Sequence, residues 1–472
     1  MRTIAAHNHQ PRAGRLWRMA LGMVAVGLLG GCSVAGLSPS ASIEATASAS
    51  ASASASASAE ATSTAVATMS ALPSPLARCP GNSAQTAAAS AAPSVVPAPA
   101  GAWTCLDWIA AGTAFPQTPT AGSGDLSVLA GVFGWSRGYV GFRSLVDTAG
   151  PDGSSAGIAA TSSSDGLHWT AARPMDVSGL GVTDHVTTAV EGPAGLLAAS
   201  MYMSGACGGP ASIDALWTSP DGLTWTRVQL PDDFISASVY TVDAGSTGYI
   251  AEGTLKDGNT QAVWLSKDGR SWSRAPLPQA TIGEVILQGA TDFSGGFVLS
   301  GAIRGDEGCG GPRYVTPSLW WSADGQAWTR SKLNGAAPAS DSWMTLTRIS
   351  DRSLMAIANE WDQTSQTSSE KVWFSTDGQS WNLVEAPSNL LGADVITDGK
   401  RGLIAVNPTT DEAALPVIAT VGDDLSVSTL SQAGDVPRPG FLPIANCAIG
   451  PSGVVMLNND GSELWLGVPA AS

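Results

Sequence analysis

Residues Leu216 to Arg227 read LWTSPDGLTWTR, with two tryptophans flanking an Asp-Gly pair, and closely similar fragments return along the chain. Aligned on that pair, the copies are SSSDGLHW (Ser162 to Trp169), SPDGLTW (Ser219 to Trp225), SKDGRSW (Ser266 to Trp272), SADGQAW (Ser322 to Trp328) and STDGQSW (Ser375 to Trp381). Their aspartates, Asp165, Asp221, Asp268, Asp324 and Asp377, are spaced 56, 47, 56 and 53 residues apart. A period near 50 residues, with several short β-rich runs per interval, is the signature of a β-propeller.

The interval ending at Asp268 divides into VYTVDAG, YIAEGTL, QAVWLS and SWSRAPL, four strands A to D separated by Gly or Asp turns. The next repeats the scheme as EVILQGA, GFVLSGAI, SLWWS and AWTRSKL. The motif therefore sits on the turn joining strands C and D. A sixth unit is predicted from DVITDG, GLIAVN, PVIATV and LSVSTL, with Gly422, Asp423 and Asp424 as a worn motif. The last unit has three strands, FLPIANCAI, GVVMLN and SELWLG, and lacks strand D. GAWTCL, Gly101 to Leu106, carries the Trp-Thr pair of a D strand and is expected to complete it, closing a ring of seven four-stranded blades.

The residue types suit that turn. Gly166, Gly222, Gly269, Gly325 and Gly378 supply the positive φ of a tight reversal, and the preceding Asp accepts turn amides. Trp217, Trp264, Trp320 and Trp373 are expected on C strands, and Trp169, Trp225, Trp272, Trp328 and Trp381 on D strands, with Trp103 and Trp465 in the closing unit. These repeated tryptophans read as packing, not as a sugar platform. Trp108, Trp135, Trp321, Trp343 and Trp361 fall outside the slots and are the candidates for a surface contact.

SxDGxxW resembles the Asp box, the bacterial neuraminidase repeat of sialidases and many other propellers, although it is one residue shorter between Asp and Trp. The resemblance implies a sialidase-like propeller in which the motif lies on the periphery, in enzymes and non-enzymes alike. A sialidase would further imply three arginines, a Tyr/Glu pair and an acidic general acid/base. No Arg-Ile-Pro stretch occurs in the first unit, and Tyr139, Tyr202, Tyr240, Tyr249 and Tyr314 form no recognisable constellation, so no catalytic residue is assigned.

Upstream, Arg12, Arg15 and Arg18 precede the apolar run MALGMVAVGLLGG, which ends at Leu29, Gly30, Gly31 and Cys32. Residues 1–31 read as a secretory signal, and the four closing residues resemble the lipobox of bacterial lipoproteins. The resemblance implies lipidation of Cys32 and anchoring to the extracytoplasmic face of the bacterial cell membrane. Residues 32–100, rich in Ser, Ala and Pro, are predicted to be a flexible tether, and 101–472 the propeller.

The formal charge of -16 and the absence of Lys/Arg clusters after the signal exclude nucleic acid as a natural partner. His168 and His185 belong to no metal-ligand spacing, and neither a metal nor a cofactor is expected. Arg143, Lys256 and Arg304, near the ends of B strands, are candidate anion contacts, each with a nearby acid (Asp147, Asp257, Asp306) as its ordinary partner. Cys207 and Cys309 occupy equivalent B to C loops and are predicted to be bridged; Cys79 and Cys105 are a second candidate pair, leaving Cys447 on an A strand. The expectation is a monomeric, surface-tethered, non-catalytic propeller binding a protein or glycan through its loop-bearing face, with a diverged sialidase-like exo-glycosidase as the alternative.

Overall fold

A computed structural model describes Cys79 and, between Trp103 and Ala471, all but the segments 113–125, 147–154, 179–184, 204–210, 258–259, 281–282, 306–313, 340–341, 363–366, 386–393, 398–401, 408–416, 424–425, 435–446 and 458–462. Strand β1 (Trp103–Gly112) comes first, followed by six antiparallel meanders in chain order. The first is β2 (Leu126–Trp135), β3 (Gly138–Val146), β4 (Ser155–Ser163) and β5 (Arg173–Pro174); the second is β6 (His185–Gly192), β7 (Gly195–Met203), β8 (Ala211–Ser219) and β9 (Thr226–Arg227). A single helical turn, α1 (Asp232–Ile235), leads to the third, β10 (Ser238–Ala244), β11 (Tyr249–Thr254), β12 (Gln261–Ser266) and β13 (Ser273–Ala275).

The fourth meander is β14 (Glu284–Phe293), β15 (Gly296–Gly305), β16 (Tyr314–Ser322) and β17 (Thr329–Arg330). After β18 (Lys332–Asn334) comes the fifth, β19 (Trp343–Ser350), β20 (Ser353–Asp362), β21 (Thr367–Ser375) and β22 (Ser380–Val384). The sixth is β23 (Asp394–Thr397), β24 (Leu403–Asn407), β25 (Val417–Val421) and β26 (Val427–Thr429). Finally β27 (Ser431–Gly434), β28 (Cys447–Gly450), β29 (Gly453–Leu457) and β30 (Leu464–Ala471) join β1 in a closing sheet ordered β27-β1-β30-β29-β28.

This is an all-β propeller. Its innermost strands pack in a cycle: β2 on β6, β6 on β10, β10 on β14, β14 on β19, β19 on β23, β23 on β28, and β28 back on β2. The apolar cores follow, because alternate residues of each strand point to opposite sheet faces and must be buried against two neighbours. Val140 and Phe142 pack with Val186 and Trp217 between the first two sheets, and Ile250 and Val263 with Leu287 and Trp320 between the third and fourth. The last joint, between closing and first sheets, gathers Val455 and Leu466 with Val132 and Tyr139.

GAWTCL enters the closing sheet as predicted, with β1 antiparallel to β30 from Trp103↔Ala471 to Gly112↔Leu464. The Cys79–Cys105 disulfide is formed, with Cα atoms 6.0 Å apart. Cys447 lies buried on β28. Cys32, Cys207 and Cys309 lie outside the described residues, and the lipid anchor and the predicted bridge with them.

Two details depart from expectation. AWTRSKL is not one D strand: the fourth meander ends at Arg330, and Lys332–Asn334 turns away to pair in parallel with β22 of the fifth. The same handover recurs at the ring's end, where β27 leaves the sixth meander and pairs in parallel with β1. In both places the connecting segment satisfies its own amides on the next sheet and covers what would otherwise be an open strand edge. The D strands β5, β9, β13, β17 and β26 are two or three residues long, whereas β22 has five and carries Trp381 within it.

Candidate functional site

The repeated turn consumes its own polar groups. In the second meander Ser219 Oγ donates to Asp221 Oδ1 at 3.0 Å and accepts from Gly222 N at 2.9 Å; Asp221 Oδ1 accepts from Leu223 N at 2.9 Å and Thr224 N at 2.7 Å. Trp225 Nε1 then donates to Gly222 O at 3.2 Å. Asp165 and Asp377 accept the same two amides, and Trp169, Trp272 and Trp381 make the same ring bond. At Asp268 the amides of Ser271 and Arg270 hold the carboxyl down to about 2, because they bond its charged form. Trp328 differs by donating to Pro276 O of the preceding meander at 2.8 Å.

The five glycines have φ between 69° and 81°, where a side chain is strained. Each also sits against the preceding sheet: Gly269 on Thr218, Gly325 on Leu265, Gly378 on Trp321. The turn is thus a clip between neighbouring sheets, and its aspartates are committed to backbone amides. In the worn copy, Asp423 Oδ1 instead accepts from Ser350 Oγ and Ser353 Oγ of the fifth meander.

The other candidates separate. Trp108 and Trp135, expected at the surface, are core residues at 0% and 4% exposure. Trp108 Nε1 donates to Gln432 Oε1 at 3.2 Å across β1 and β27, and Trp135 carries the Arg137 guanidinium over its ring. Trp321 is half-buried against the Gly378 clip; the side chains of Trp343 and Trp361 lie outside the described residues. Arg143 is buried on β3, Lys256 is exposed in the turn after β11, and Arg304 pairs with Glu284 of the adjacent strand. Asp147 and Asp306 lie outside the described residues. Tyr139 and Tyr249 are donors between sheets: their hydroxyls reach Gly453 O at 3.0 Å and Gly195 O at 2.9 Å. Burial pushes the Tyr249 hydroxyl up to about 12, so it stays protonated.

An opening remains on the face that carries the B to C and D to A connections. Between the third and fourth meanders a cavity of about 460 Å³ is lined by Thr260, Gln261, Pro278, Gln279, Glu284 and Val285, among others. Its floor is apolar, since Val285 and the half-buried Leu277 and Ala280 belong to the core between the two sheets. Its rim is polar and charged: Glu284 pairs with Arg304, and both side chains remain partly exposed. Gln261, which also lines the opening, is held there by a hydrogen bond that its Oε1 accepts from Leu287 N at 3.0 Å.

Two buried acids lie in the same pair of meanders. Glu252, fully buried on β11, shares the alternation of Ile250 and so faces the fourth meander. Thr241 Oγ1 donates to its Oε2 at 2.6 Å, while Oε1 has no hydrogen-bond partner among the described residues, and burial raises its carboxyl to about 7. At the opposite end of the inner strands, Asp292 accepts from Thr247 N at 2.9 Å and Gly248 N at 3.1 Å; burial raises it to about 6 although Arg348 stands beside it. Arg348 Nη1 donates to Asp292 O at 3.1 Å and its Nη2 stands 4.0 Å from Asp243, while Thr291 donates to Asp243. A Cβ at Gly245 would overlap the side-chain ends of both Asp292 and Arg348, so a larger residue there would have to displace the pair. This polar tie joins three consecutive inner strands, and Thr397 Oγ1 extends it to a fourth by donating to Arg348 O at 2.9 Å.

No protein-family model matches the chain, and no curated protein matches it. Among solved structures it is similar to the β-propeller domain of the trilobed protease from Pyrococcus furiosus, at 9% identity over 73% of this chain and 95% of that one, TM-score 0.42. It is also similar to Trypanosoma rangeli sialidase in complex with the inhibitor DANA, at 12% identity over 69% and 57%, TM-score 0.31. A structure titled glycoside hydrolase matches at 12% identity over 61% of this chain and 96% of that one, TM-score 0.24.

Proposed function

We propose that the chain is an exported, membrane-tethered propeller of seven blades, counting the closing sheet, that binds a protein or glycan partner without turning it over. The contact surface is the face of the B to C and D to A connections, centred on the cavity between the third and fourth blades. One observation carries this reading: at that opening an apolar floor meets a polar rim of Glu284, Gln261 and Gln279, with Arg304 paired to Glu284, the composition of a recognition pocket. The SxDG aspartates lie at the other end of the C strands, committed to turn amides, and serve the scaffold. Lipidated Cys32 and the 32–100 tether hold the propeller at the extracytoplasmic face of the membrane, and a Cys207 to Cys309 bridge straps two B to C loops.

A glycan array and a pull-down from cell-surface extracts, run with the full chain and with Arg304→Ala, test the reading. A retained ligand lost on substitution is expected. Turnover of a fluorogenic sialoside that disappears in Glu284→Gln would overturn it in favour of a glycosidase. Radiolabelled fatty acid incorporated by the wild type and not by Cys32→Ala tests the anchor separately.

A further inference from the structure

The closing strand is fastened in three ways. β1 lies inside its sheet, laddered to β30 on one side and to β27 on the other. The third fastener comes from the preceding chain. Cys79 is buried at 3% exposure in a small apolar cluster with Cys105, Ala433 of β27 and Ala470 of β30, so the cluster around it draws on all three strands. Its backbone N–H donates to Asp107 Oδ1 at 2.9 Å, and Asp107, itself on β1, is 3% exposed.

These contacts stand or fall with the bond. Cys79 follows a long Ser/Ala/Pro-rich stretch with little apolar surface of its own, so the covalent link is what holds it on the sheet. Once reduced, Cys79 leaves, and the buried Asp107, on a strand flanked by β27 and β30, gives up one hydrogen-bond donor, which carries a cost. The cost falls on β1 alone, the strand that completes the ring.

We propose that Cys79–Cys105 is a redox-gated clasp on the propeller: in the reduced chain β1 opens readily, and oxidation after export locks the ring. The step balances as thiol–disulfide exchange. The thiolate of one cysteine attacks the disulfide of an exported oxidoreductase, forming a mixed disulfide; the second cysteine displaces it, and the oxidoreductase leaves as a dithiol carrying both electrons. The compartment in this scheme rests on the export reading above; the clasp itself is tested without it.

Hydrogen exchange on the purified full-length chain, followed peptide by peptide before and after reduction, reads the clasp directly. Reduction, verified by alkylation of Cys79 and Cys105, is expected to speed exchange of β1 amides roughly a hundred-fold, the order of effect of a cross-link closing a loop of this size. The second to fifth meanders should be unchanged. Cys79→Ala should reproduce the effect, and Asp107→Asn in the oxidised protein should give part of it. Unchanged β1 exchange in fully reduced protein overturns the clasp, and so does an equal rise in every meander, which would make the bond a general staple. Because the readout needs no cell, loss of the lipid anchor in the fatty-acid experiment leaves it standing.

Discussion

Glu252 shows how one side chain departs from the pattern around it. The equivalent places on the B strands of the first, second and fifth meanders carry Phe142, Ala199 and Ile357, which suit an apolar seam. An acid there is tolerable only while it is neutral, since ionising it would strand a charge with a single hydroxyl donor. Its folded value, about 7, lies above the ordinary 4.5. Its contribution is therefore intact below pH 4.5 and is lost as pH rises to about 7, by about 3 kcal/mol over the window. Glu252→Gln should leave urea stability unchanged at pH 4 and raise it by up to that amount at pH 8, measured as the pH dependence of the midpoint. The SxDG glycines give a second residue-scale expectation. Gly222→Ala meets mainly the positive-φ penalty, about 1–2 kcal/mol, whereas Gly325→Ala also overlaps Leu265 and should lose more, by thermal melts of the two variants. The glycines were legible because a repeat announces them five times. Glu252 was not, because a lone acid in a β-rich run is silent until its neighbours across the seam are known.

Elements are joined by a small vocabulary of cross-sheet bonds. Tyr249 reaches back to the hairpin of the second meander, donating to Gly195 O and accepting from Ala194 N at 3.2 Å. Tyr249→Phe should cost about 1–2 kcal/mol in urea unfolding, since both groups lose their protein partner. Trp373→Ala, removing a fully buried ring from β21, should cost about 3–5 kcal/mol; Trp225→Ala, half-buried, should cost clearly less. The A to C strands of the third, fourth and sixth meanders and of the closing sheet could be read from alternation and turn residues. Strands β18 and β27 could not: each is three or four residues of unremarkable polarity whose partner lies on the next sheet. A parallel edge pairing leaves no local pattern, and neither does the burial of Trp108 and Trp135, which is set by β27 and by the clip at Gly222.

For the whole molecule, the period and the Trp-Thr pair of GAWTCL were enough to place the first strand against the last, because a ring has only one place for an orphan D strand. The cavity was not foreseen. Its lining comes from the start of β12, the segment after β13 and the start of β14, stretches whose sequence says only that they connect strands. A chain lacking residues 1–112 should keep its meanders but expose β27 and β30 to pairing with other copies, seen as concentration-dependent association in light scattering.

The closing sheet also sets a schedule. Thr104 Oγ1 donates to Ala470 O across 366 residues of chain. At ribosomal rates of about 5–20 residues per second, the first strand waits roughly 20–70 s for its partner to be made. Throughout that time the growing protein is a row of meanders whose two ends have not yet met.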